Sequence, residues 1–115
     1  MKYLLLCCFE EKRWERISQS QRDEIMREYH QLLHELDQSG CHLASAKLQP
    51  TSAAITIRGR EGKPSTTDGP FAETKEQLGG YHLIECENLD AAISIAKRIP
   101  TIAHGGAVEV RPLSV

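Results

Sequence analysis

A chain of 115 residues fits a single domain and is long enough to bury a core without disulfide staples. Its 40% hydrophobic and 26% charged residues are the make-up of an ordinary globule and not of a disordered tail. A net charge of −2 with no block of Lys and Arg leaves nothing to displace counterions from a duplex, which argues against nucleic acid as a partner.

The opening, MKYLLLCCFEEKR, is apolar only over residues 3–9, and Glu10 and Glu11 follow where a signal peptide would offer small residues for cleavage. A membrane span needs about 20 apolar residues, so this run predicts a buried strand, no membrane partner and a cytoplasmic protein. Tyr3, Leu5, Cys7 and Phe9 alternate with Leu4, Leu6 and Cys8, which makes both faces of the strand apolar. A polar loop carrying Trp14 comes next, and Ser18 with Gln21 forms a candidate capping box.

Helical periodicity spans residues 19–38. Ile25, Met26, Tyr29, Leu32, Leu33 and Leu36 share one face, and Gly40 is available for the left-handed position that ends a helix. Strands are predicted over residues 43–48 and 53–58, then a GREGKP hairpin turn and a short return strand at 65–67. The stretch TTDGPFAETKEQLGGYHLIE follows, with a turn at Asp68-Gly69-Pro70 and a strand over 80–86. Asn88 caps a second helix over 89–99, Pro100 closes it, and residues 107–111 form the last strand.

Setting the hairpin aside, this order is β-α-β-β-α-β, an α+β ferredoxin-like pattern with an inserted β-hairpin, as one domain over 1–115. Two helices cover one face of such a sheet. The doubly apolar first strand therefore predicts a second copy on the other face, as a two-fold homodimer.

The motif TDGPFAETKEQLGGYHLIE, together with the MKYLLL opening, the GREGKP hairpin and the closing VEVRPL, resembles the YCII-related family in its DGPF subgroup. That resemblance implies a ferredoxin-like fold that dimerises as an α+β barrel, akin to muconolactone isomerases and dehalogenating lyases of small organic acids. In the broader family an Asp of the motif loop pairs with a His on the first helix. The Asp matches Asp68, but the helix position matches Tyr29, a poor base at neutral pH with an ordinary pKa of about 10.

Asp68 is the candidate catalytic residue, with Tyr29, His82 and Arg111 as candidate substrate-binding groups. The competing view of Asp68 is turn chemistry, its carboxylate accepting amides just after Pro70. Arg111 has a competing role too, pairing with Glu109 or Glu85. His30 and His34 stand i, i+4, but residue 31 is Gln and no zinc-helix motif is completed, so a solvated face and no metal are predicted. Gly79-Gly80 predicts a bulge or a close strand approach, because a strand rather than a helix follows. Cys7, Cys8, Cys41 and Cys86 contain no C-x-x-C pair and are expected to be buried free thiols.

Two functions remain open: a small-ligand-binding or regulatory module with a cleft near Asp68, or a metal-independent lyase, isomerase or hydrolase of small organic acids using Asp68 as acid or base. Neither requires a cofactor.

Overall fold

The computed structural model describes residues 1–114. Strand β1 (Lys2–Phe9) runs through the middle of a four-stranded antiparallel sheet. It is followed by α1 (Glu11–Arg16), α2 (Gln19–Gln38), β2 (His42–Lys47), the hairpin β3 (Ile55–Arg60) and β4 (Lys63–Asp68), then β5 (Gln77–Glu85), α3 (Leu89–Ala96) and β6 (Ala107–Pro112). The sheet order is β2-β5-β1-β6, and β3-β4 stands apart as a two-stranded sheet. No helix among the described residues is long and apolar enough to cross a membrane.

The local signals explain most boundaries. The Ser18 hydroxyl accepts the amide of Gln21 at 3.2 Å and starts α2, and the Asn88 side chain accepts the amide of Ala91 at 2.9 Å and starts α3. Gly40, at φ +78, turns the chain so that the Cys41 amide reaches back to the Leu36 carbonyl and closes α2. Glu61 and Gly62 both take positive φ, the condition for a two-residue hairpin loop that follows the strand twist.

Three expectations need correction. The supposed loop around Trp14 is the short helix α1, with Glu11 in its first turn and Arg13 and Arg16 in its last, each sign suited to its end. The hairpin is longer than expected and starts later, because Thr51–Ala53 forms a 3-10 turn first. Helix α3 stops at Ala96, and the chain passes through a second 3-10 turn, Pro100–His104, before β6.

Tyr3, Leu5 and Ile84 project from one face of the sheet onto Ala92 and Ala96 of α3. Cys7, on the same face, meets Leu32 and Leu36 of α2 and Ile99. Both long helices thus lie on one side of the sheet. The other side presents Leu4, Leu6, Cys8, Tyr81 and Leu83, none of which is fully buried.

Candidate functional site

The helix-covered face is not packed evenly. Where α2 crosses β5 and β2, the sheet offers the small residues Gly80, Ser45 and Cys7, and α2 offers Met26, Tyr29 and Leu33. Short side chains below a helix leave volume, and a cleft of about 510 Å³ opens there. Phe9 and Trp14 wall its mouth, their rings meeting edge to face at 6.1 Å between centroids. The Lys47 ammonium lies 5.4 Å above the Trp14 ring, at the same end.

Two kinks shape the floor. Opposite β1 the register of β5 slips at Gly79, and Gly80 then lies so close to β2 that an added Cβ would sit 2.9 Å from the Ala46 carbonyl oxygen. The bulge and close approach expected of the double glycine are therefore both present. The second kink is in β2, where Leu43 is an extra residue between the pairs His42–Ile84 and Ala44–Leu83.

His82 is the most buried polar group lining the cleft, with 7% of its surface exposed. Its ring stacks on Tyr29 with centroids 5.9 Å apart, and its Nδ1 has no hydrogen-bond partner among the described residues. Burial, with a smaller effect of nearby His42, lowers its pKa, so the ring is neutral at pH 7. Burial also raises the Tyr29 phenol, whose oxygen lies 3.5 Å from the Thr101 hydroxyl. Next to it the Cys7 thiol is pushed up to about 11 by burial. The inner cleft is thus lined by uncharged polar groups: a phenol, an imidazole, a hydroxyl and a thiol.

Of the candidate residues, the fold brings Tyr29 and His82 together and leaves two outside. Asp68 is the last residue of β4, exposed on the hairpin, and lines no part of this cleft. No hydrogen bond to its carboxylate forms among the described residues, contrary to the turn chemistry expected of it. The bend is held instead by the backbone and by Thr56: the Gly69 amide donates to the Ala54 carbonyl at 2.7 Å, and the Thr56 hydroxyl donates to the Gly69 carbonyl at 2.7 Å. A second, more polar depression of about 580 Å³ touches Gly69 and Pro70 beside the bend, without Asp68. Arg111 pairs with Glu109 on the opposite face of the sheet, as its competing role predicted. His30 is exposed but reaches the cleft rim, a position that helical spacing alone did not disclose.

Comparison with known proteins adds the lineage. The family model of the YCII-related domain matches residues 1–114. The chain belongs to the YCII-related domain family. An uncharacterized protein of Rhizobium meliloti (strain 1021) is similar to it, 37% identical over 116 residues that cover 100% of this chain and 94% of that protein.

Within this YCII-related domain, sequence reasoning missed Asp37, His42 and Ser45, which form a hydrogen-bonded chain ending on the cleft floor. Nothing in the sequence signals the Leu43 bulge, since it contains neither Gly nor Pro. Without it, the three-residue spacing of His42 and Ser45 puts them on opposite faces of a strand.

Proposed function

We propose that the chain is a homodimeric small-ligand-binding domain of the DGPF subgroup, ferredoxin-like in topology, with one cleft per chain. The observation that carries the reading is His82: a neutral ring, almost wholly buried, lining an apolar cleft with one nitrogen unpartnered. A buried polar atom without a partner costs about 1–3 kcal/mol; this Nδ1 is sealed from the cleft as the ring stands, so a ligand oxygen removes that cost by drawing the ring toward it. The apolar walls suit an aliphatic or aromatic body, and Lys47 at the mouth suits a carboxylate, so the ligand is a small organic acid with an apolar body.

Dimerisation is supported by the sheet face that no helix covers, where Leu4, Leu6, Tyr81 and Leu83 stay half-buried, and by the hairpin. Ile57 is 69% exposed and Phe71 77% exposed, and such residues near an open sheet favour self-association. Asp68 shares the hairpin face of Ile55 and Ile57, since Ile55 pairs directly with it. Its role is therefore assigned to the dimer surface and not to proton transfer in the cleft.

Trp14 is the single tryptophan and lies at the mouth, so its fluorescence reports occupancy. Titration with hexanoate should give a saturable change, lost when Leu33→Phe narrows the cleft and weakened in Lys47→Met. A linear, unsaturable response identical in all three proteins contradicts the reading.

A further inference from the structure

His42 makes two ring hydrogen bonds of opposite kind. Its Nδ1 lies 2.5 Å from an Asp37 carboxylate oxygen, and its Nε2 lies 3.0 Å from the Ser45 hydroxyl. A carboxylate only accepts, so Asp37 keeps the ring proton on Nδ1 and leaves the Nε2 lone pair facing the Ser45 O–H. The Leu43 bulge makes this possible. With it, His42 faces Ile84 and Ser45 faces His82, both on the helix-covered side of the sheet. Asp37 is supplied by the last turn of α2, immediately before the chain turns at Gly40 into β2.

We propose that Asp37, His42 and Ser45 form a serine-nucleophile triad, with Ser45 on the cleft floor and His42 and Asp37 behind it, acting on esters with a small apolar acyl group. The roles match the order carboxylate, imidazole, hydroxyl that activates a serine, with the base within hydrogen-bond reach of the nucleophile. The proposal rests on the cleft as the ligand site, because Ser45 lines that cleft and the acyl group would lie between Met26, Leu33 and Phe9. His82 stands directly opposite Ser45 on β5 and lines the same cleft, and in this proposal it is the group that turns to donate to the developing oxyanion.

The steps balance without a cofactor. The Ser45 oxygen bonds to the ester carbonyl carbon while its proton passes to His42 Nε2, and the carbonyl electron pair moves onto oxygen. When that pair returns, the carbon–alkoxy bond breaks and the alcohol leaves with the proton from His42. Water then gives a proton to His42 and adds its oxygen to the acyl carbon. The bond to Ser45 breaks, the serine takes the proton back, and a carboxylic acid is released past Lys47. Asp37 is 61% exposed at its side chain, against 16% for His42, so solvent screens the pair and Asp37 orients the ring more than it charges it.

The test uses the full chain and an alkyl fluorophosphonate, with the modified peptide found by mass spectrometry, beside hydrolysis of p-nitrophenyl butyrate. Modification is expected at Ser45, absent in Ser45→Ala. Loss of the general base in His42→Gln should slow it by about a hundredfold. In Asp37→Asn a smaller loss of about tenfold is expected, because the exposed carboxylate is screened by solvent and its main part is to orient the ring. Trp14 titration with hexanoate on Ser45→Ala and His42→Gln separates the two claims. Hexanoate binding retained with no modification of Ser45, or with modification unchanged in His42→Gln, overturns the triad and leaves the ligand cleft standing. Modification of Ser45 with no hexanoate binding upholds the triad and removes the small-acid reading. Normal melting curves of the variants show that lost modification is not lost folding.

Discussion

His82 ties the cleft to the stability of the fold. In the unfolded chain its imidazole takes up a proton near the ordinary value of 6.5, whereas burial in the native state holds the pKa lower. Between those two values the unfolded chain binds more protons than the native one, so stability rises with pH there. The contribution of neutral His82 is complete above about 6.5 and is lost as pH falls through the window toward the lowered native value. Urea midpoints measured from pH 7.5 down to 5 should therefore fall, and His82→Gln should flatten that slope. Equal slopes in the two proteins count against a buried neutral ring. Cys7 behaves differently: with its thiol pushed up to about 11 by burial, it supplies almost no thiolate at pH 8. Iodoacetamide at that pH should leave Cys7 unmodified in native protein and modify it promptly in urea; rapid native labelling contradicts the packing of Cys7 against Leu32 and Leu36. Tyr29 falls on the apolar face that helical periodicity announces, and His82 shares its face of β5 with Ile84, so both point toward the helices. Asp68 was conspicuous for its motif, but a motif carries no information about which way a hairpin projects.

Helices and strands were legible wherever a signal is local. Ser18, Gly40, Asn88 and Pro100 each act on their own backbone neighbours, and the boundaries they announce are present within a few residues. What could not be read depends on pairing. Leu43 is an extra residue only relative to Leu83 on another strand, and five charged residues around one Trp do not declare whether they curl into α1. The double glycine lies between these cases, since Gly79 and Gly80 advertise a special backbone without naming the partner. Its partner is β2, where the Ala46 carbonyl oxygen occupies the space of a Gly80 side chain. Gly80→Ala should cost about 1–3 kcal/mol, because backbone oxygen cannot swing aside as a side chain can. Gly79→Ala, whose added carbon meets only the Cys7 carbonyl oxygen at 3.9 Å, should cost much less. Denaturant melts of the pair check this, and equal losses contradict the close approach at Gly80.

The molecule as a whole measures 47 × 41 × 18 Å. The thin dimension is that of a single sheet with a single layer of helices, roughly 10 Å between packed layers plus the side chains outside them. A radius of gyration of 16.0 Å exceeds the roughly 13 Å of a compact chain of about this length, and the detached β3-β4 hairpin accounts for the excess. Such a flat body leaves Leu4, Leu6, Tyr81 and Leu83 only half-buried, on a face that no helix covers. Light scattering at micromolar concentration should give twice the 12.9 kDa chain mass, and Leu6→Lys should give the single-chain mass with the fold intact. A wild-type monomer rules out this use of the sheet face. The covered face holds the claim on which the functional reading turns: a neutral His82 whose free nitrogen meets a ligand. The most direct measurement is the ¹⁵N spectrum of the His82 ring at pH 7, recorded before and after saturation with hexanoate. The account predicts a neutral imidazole in both, with one ring nitrogen shifting as the ligand binds. A doubly protonated ring, or ring signals unmoved at saturation, would contradict it.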